Sequence, residues 1–126
     1  MSDSYKIDIA GDFYVRKFYG EIYLNTIQNS WIELMALDNY LMYKGFLTDF
    51  CAARVIITKN DLDDIISFYK SNSIYLTNKR NAVISLQPSM IAFIMLLKMN
   101  LNCLDIRYCL KPFSTYEAAL HWLKKH

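Results

Sequence analysis

Asp49, Cys51, Arg54 and Thr58 lie within ten consecutive residues. A carboxylate, a thiol, a guanidinium and a hydroxyl at that spacing could grip a small anion, activate a nucleophile or accept a phosphate. They follow one another along Lys44-Gly45-Phe46-Leu47-Thr48-Asp49-Phe50 and its continuation from Cys51 to Thr58. The first part reads as a buried strand that stops at a carboxylate. The second reads as a short loop into a helix starting near Thr58. In α/β proteins ligands and modifications gather at the carboxyl ends of parallel strands and at the helix N-termini that follow. A site is expected here before anywhere else.

Each chemistry has a plainer counterpart. Asp49 and Arg54, with Arg80 at the entry of the next strand, could hold a polar or anionic ligand, but most such ion pairs simply pin a loop. A reactive Cys51 needs an electropositive, partly exposed setting, and Arg54 is its only nearby contribution. Thr58 could carry a phosphate on a helix N-terminus. It serves equally as an N-cap contributing ~1 kcal/mol, and Asp61, Asp63 and Asp64 would repel an added dianion. The only histidines are His121, on the polar side of the last helix with Glu117 and Lys125, and the terminal His126. A Cys-His pair, a Ser-His-Asp triad or a histidine metal site would need one of them, and none is expected. Three scattered glycines make no phosphate-cradling loop. Cys51, Cys103 and Cys109 are odd in number and form no C-x-x-C pair, which argues against a disulfide framework and a zinc site. Neither cofactor nor metal is called for.

Composition bounds the rest. With 126 residues, 54% hydrophobic and 21% charged, the chain is read as one domain over 1–126, able to bury a core unaided. Three Gly and two Pro are too few for an all-β sandwich or barrel. The net charge of +2 shows no basic face, so nucleic-acid binding is not expected. Met1 to Ser4 lacks a basic, then apolar, leader pattern. The most apolar run, Met90 to Leu97, is far shorter than the roughly 20 residues of a membrane span. The expectation is a cytoplasmic protein with reduced thiols and no membrane span.

The elements that must position these residues follow from periodicity. Tyr5 to Ile9 alternates with period two, Gly11-Asp12 turns the chain, and Phe13 to Tyr19 completes a hairpin before Gly20-Glu21. Asn25 with Gln28 reads as a capping box. Ile27, Trp31, Leu34, Met35, Leu41 and Met42 then make one helical face. Thr58 with Asp61 repeats the box and opens a helix with Leu62, Ile65, Ile66 and Tyr69 inward. Lys79-Arg80-Asn81 leads into a strand, Ala82 to Leu86. Pro88 starts a helix apolar almost all round from Ser89 to Met99. Leu104 to Leu110 is the last strand, and Ser114 to Glu117 caps a helix through Leu123. The order is β-β-α-β-α-β-α-β-α: a mixed, mostly parallel five-stranded sheet with an antiparallel first strand.

This order resembles the STAS domains, the anti-sigma-factor-antagonist fold, and the runs look like its small stand-alone SpoIIAA-like members. The matching pieces are Gly20-Glu21-Ile22, Gly45-Phe46-Leu47-Thr48-Asp49-Phe50, Lys79 to Ile84, and Phe113-Ser114-Thr115-Tyr116-Glu117-Ala118-Ala119-Leu120-His121-Trp122-Leu123. The resemblance implies a non-catalytic module that docks onto a partner through the loop and helix after the third strand. In the antagonists that helix begins with Asp-Ser-Ser-Gly, whose serine is phosphorylated to break the partner complex. Here the stretch reads Ile57-Thr58-Lys59-Asn60, and Thr58 is the nearest hydroxyl.

The leading expectation is therefore a STAS-like protein-binding or regulatory module whose protein partner is unknown. The apolar helix, through Met90, Ile91, Phe93, Ile94 and Leu97, would make it a homodimer. A second reading is a carrier or sensor of an apolar or amphipathic, lipid-like ligand, gripped between that helix and the aromatic hairpin. An enzyme ranks third.

Overall fold

A computed structural model describes residues 4–104 and 106–125. The reading of Met1 to Asp3, Asp105 and His126 falls outside the described residues. Five strands form one sheet in the order β1-β2-β3-β4-β5, with β1 antiparallel to β2 and every later pair parallel. They are β1 (Tyr5–Ala10), β2 (Phe13–Ile22), β3 (Gly45–Val55), β4 (Lys79–Ile84) and β5 (Tyr108–Phe113). The helices are α1 (Leu24–Met35), α2 (Asp61–Ser71), the one-turn α3 (Ser73–Leu76), α4 (Pro88–Cys103) and α5 (Tyr116–Lys124).

The strand order dictates the layers. Right-handed crossovers that always step the same way place every crossover helix on one face of the sheet. Accordingly α1, α2 and α4 bury Trp31, Ile65, Phe93 and Leu97 against the Tyr14, Phe18, Phe46 and Val83 face. The other face carries α5, whose Ala119 and Leu123 cover Val15, Leu47, Ala82 and Ile84.

Several boundaries depart from expectation, each for a local reason. β3 does not stop at Asp49. Its pairing with β4 ends there, at Asp49↔Ile84, but β3 continues beside β2 to Val55↔Ile22. Gly20 does not end β2 either. A register shift between Lys17 and Tyr19, with Gly20 at φ 73, bends the ribbon without breaking it. β4 begins at Lys79, because Lys79 to Asn81 pair with Tyr108 to Leu110. α4 runs on to Cys103, so β5 lies in the later frame and takes in Pro112, tolerated on an edge strand. The Asn25–Gln28 box is not used: Tyr23 is the N-cap, with no side-chain bond. In α5 the cap is Thr115, whose hydroxyl accepts from the Ala118 N–H at 3.2 Å.

α4 buries a single stripe, Met90, Phe93, Ile94, Leu97 and Leu101. Four of the five residues read as a self-association surface thus belong to the core, and Ile91 is half-buried. The large apolar side chains that α4 leaves outside are Met95, Leu96 and Met99.

Candidate functional site

Beyond β4, the strands β2 and β3 project as a two-stranded ribbon whose β4-side edge has no strand neighbour among the described residues. Side chains manage that edge. The Asp49 carboxylate accepts from the Cys51 N–H at 2.8 Å. The Gln87 amide binds Val55 twice, accepting from its N–H at 3.0 Å and donating to its carbonyl at 2.7 Å. The Ile56 N–H donates to the Ile22 carbonyl on the β2 side. Alternation then turns the Ala53 amide, like that of Val55, toward the open side. Phe50, Cys51, Ala53, Arg54, Leu86 and Gln87 line a groove along this edge, with Leu86 68% exposed on its rim.

The four residues singled out by sequence fare differently. Cys51 and Arg54 line the groove and Asp49 holds its backbone, whereas Thr58 lies past the end of β3. Arg54 does not pair with Asp49. Its Nη1 meets Glu21 Oε2 at 3.1 Å, because Glu21 and Arg54 are register neighbours on β2 and β3. Both are well exposed, so the pair adds little stability. Arg80 is four residues before the Asp49↔Ile84 rung and stacks over Trp122 at 4.0 Å on the α5 face, away from the groove. α2 starts at Asp61, not Thr58. The Thr58 N–H and hydroxyl both donate to the Asp61 carboxylate, at 2.8 and 2.9 Å. The hydroxyl proton is committed to an acid that is itself nearly buried, and Asp63 and Asp64 share that first turn.

Partial desolvation, then a hydrogen bond and repulsion from Asp49, push the Cys51 thiol above its ordinary value. Less thiolate forms at a given pH, so alkylation of Cys51 is expected to be slow near pH 8 and to climb at higher pH. Asp49→Asn removes the repelling charge and should speed labelling by roughly two- to fivefold. Iodoacetamide kinetics on a variant retaining only Cys51 measure this, and an unchanged rate would show that Asp49 does not govern the thiol.

A second constellation, inside the domain, lies outside the sequence expectations. Arg16 of β2 is 1% exposed. Its Nη1 donates to Ser30 Oγ and its Nη2 to Thr48 Oγ1, both at 2.8 Å. The Thr48 hydroxyl donates to Asn81 Oδ1 at 2.8 Å, and Asn81 Nδ2 donates to the Tyr108 hydroxyl at 2.7 Å. A polar row thus crosses β2, β3, β4 and β5 under the helices. The Trp31 ring covers the guanidinium at 4.1 Å. Burial lowers the Arg16 pKa, partly opposed by the surrounding tyrosines, Tyr108 first. An arginine stays protonated all the same. One signal was available: Tyr14, Arg16 and Phe18 alternate, placing a cation on an aromatic strand face.

Among the described residues no helix is long and apolar enough to cross a membrane, and no group of three or more His, Cys, Asp or Glu could hold a metal ion.

No protein-family model and no curated protein matches the sequence. Solved structures do. An uncharacterised DUF3478-family protein with a SpoIIAA-like fold, from Shewanella loihica PV-4, superposes with a TM-score of 0.57 at 15% identity, over 94% of this chain and 91% of that one. The anti-sigma factor antagonist SpoIIAA in its unphosphorylated form gives 0.56 at 8% identity, over 97% and 99%. The Bacillus cell fate determinant SpoIIAA in its phosphorylated form gives 0.50 at 8% identity, over 95% and 99%. At such identities the likeness concerns the backbone alone, and it agrees with the strand order and layers described above. This chain has the SpoIIAA-like fold of the STAS domains.

Proposed function

We propose that the protein is a cytoplasmic, non-catalytic docking module that receives a protein partner along the overhanging edge of β3. The observation that carries this reading is the edge itself, where β3 outruns β4 and is held open by Asp49 and Gln87 instead of a strand. An extended segment of a partner can bond to such an edge while its side chains use the groove, here floored by Phe50 and rimmed by Leu86. SpoIIAA is an anti-sigma factor antagonist, which fits a module of this fold acting through a partner. Three exposed free cysteines suit a reducing compartment. With the Thr58 hydroxyl turned to Asp61, docking in this chain works without a phosphate at that position.

The natural thiols give a test. A benzophenone maleimide on Cys51, with Cys103 and Cys109 replaced by serine, should photo-crosslink a discrete protein in an extract of the native host. A probe on Cys109 alone should not. Leu86→Asp should weaken capture roughly tenfold, the effect of losing an apolar anchor, while leaving the melting temperature unchanged. Equal adducts from Cys51 and Cys109, or indifference to Leu86→Asp, would reject the docking face.

One observation also favours self-association. Met95, Leu96 and Met99 are 46, 49 and 62% exposed side by side on α4, and a second copy is the commonest cover for such a patch. Light scattering is expected to give a dimer that Met99→Lys converts to monomer. A wild-type monomer at 100 μM-scale concentration would remove this part of the reading.

A further inference from the structure

Arg16 is a fully buried cation with no salt-bridge partner among the described residues. Among the described residues its hydrogen bonds go to two neutral hydroxyls, Ser30 and Thr48. A guanidinium has five N–H groups. Its Nε is out of contact with solvent and, among the described residues, has no hydrogen-bond partner. Buried charges are ordinarily paired, because desolvating an unpaired ion carries a penalty no hydroxyl repays. Other groups can escape by losing a proton, but arginine cannot.

The same guanidinium lines an internal cavity of about 30 Å³ between the sheet and the helices α1, α2 and α4. That space fits one or two waters or a carboxylate head. Its polar side is Arg16, Thr48 and Asn81, and the rest of its wall is aromatic or aliphatic, with Trp31 and Tyr69 beside Ile65, Phe93 and Ile94 from two different helices. A polar corner of positive charge beside an apolar wall recognises one kind of molecule: an anionic head on a hydrocarbon body.

We propose that this cavity is a binding site for a small monocarboxylate with an apolar tail. The carboxylate lies against the Arg16 Nε edge, and the tail extends among Ile65, Phe93 and Ile94. The carboxylate would supply the missing counter-charge and the missing acceptor together. A neutral molecule of the same shape would supply neither. A tail longer than a few carbons needs α2 and α4 to part slightly, and those helices meet through side chains without a shared backbone ladder. The inference concerns the interior and stands independently of the docking edge.

The test uses the intact protein and a defined series: sodium acetate, hexanoate and decanoate, with hexanol as the neutral control and sodium chloride matched for ionic strength. Thermal denaturation and isothermal titration are read together. Hexanoate and decanoate should raise the melting temperature and bind stoichiometrically, whereas hexanol and matched chloride should not. Arg16→Met keeps the volume and removes the charge, and should weaken hexanoate binding about tenfold to a hundredfold, the usual loss for a charge-assisted hydrogen bond. Because that variant alters the core, Ile65→Phe provides a second arm that fills the cavity and leaves Arg16 in place. It should abolish hexanoate binding in a protein whose own melting temperature is maintained. Hexanoate binding that survives Ile65→Phe, equal shifts from hexanol or chloride, or no carboxylate effect at millimolar concentration would each overturn the proposal.

Discussion

Trp31→Ala is expected to lower the free energy of unfolding by about 3–5 kcal/mol, the usual range for deleting a large buried aromatic. Trp31 has no exposed surface. Its ring meets Phe46, Tyr69 and Tyr108 edge-on, with centroids 4.8, 6.0 and 6.3 Å away, and so ties α1 to β3, α2 and β5 together. Edge-to-face contacts each add about 0.5–1.5 kcal/mol beyond the area buried. The substitution also uncovers the Arg16 guanidinium, enlarging a cavity around a charge that has no salt-bridge partner among the described residues. Against a total of roughly 5–15 kcal/mol for a domain of this size, the loss is a large fraction. Urea denaturation followed by circular dichroism measures it. Trp31→Phe, which keeps a ring over the guanidinium, should lose less than half as much. A loss below about 1 kcal/mol in the alanine variant would mean that the core is not organised around this residue.

Gly45→Ala should be comparably damaging although it adds a single carbon. A Cβ at Gly45 would lie 2.3 Å from the carbonyl oxygen of Arg80 and 3.2 Å from its carbonyl carbon. Those are backbone atoms of β4, and β3 cannot retreat because Phe13 of β2 pairs with Gly45 on its other side. Either the strands part or the ladder breaks, at about 3 kcal/mol. Gly11→Ala is the informative comparison. Gly11 has φ 63, but a Cβ there would meet nothing within 4 Å, so its cost is conformational alone, about 1–2 kcal/mol. Denaturation midpoints for the two variants separate steric from conformational need. Equal losses would contradict the close approach of β3 and β4.

Much of the fold was legible because local signals agreed with one another. Alternation in Tyr5 to Ile9 and the Gly11-Asp12 turn gave the hairpin, and Pro88 sits at the start of α4 as its fixed φ favours. Strand ends were less legible. Nothing local distinguishes Asp49 as a terminus from Asp49 as the point where one neighbour leaves and another stays. The site suffered from the same limit. The partner of Arg54 is Glu21, 33 residues earlier, and only the β2–β3 register brings them together. Gln87 was unremarkable in sequence because its role, replacing a strand at Val55, exists only once β4 has ended. Arg16 was readable in principle from the alternation of Tyr14, Arg16 and Phe18, but its lack of a salt bridge among the described residues is a tertiary fact.

The strand order has a kinetic consequence. Spatial order and chain order coincide, so each new strand joins an edge already present and none must be inserted between two others. Contacts between neighbouring strands close loops of moderate length, which keeps the entropy of each addition small. A nascent chain can therefore extend its sheet rung by rung as it emerges, beginning with the hairpin. The last-made unit, β5 with α5, then covers the second face and closes the structure. The same geometry makes that unit the natural first part to detach when the folded protein opens.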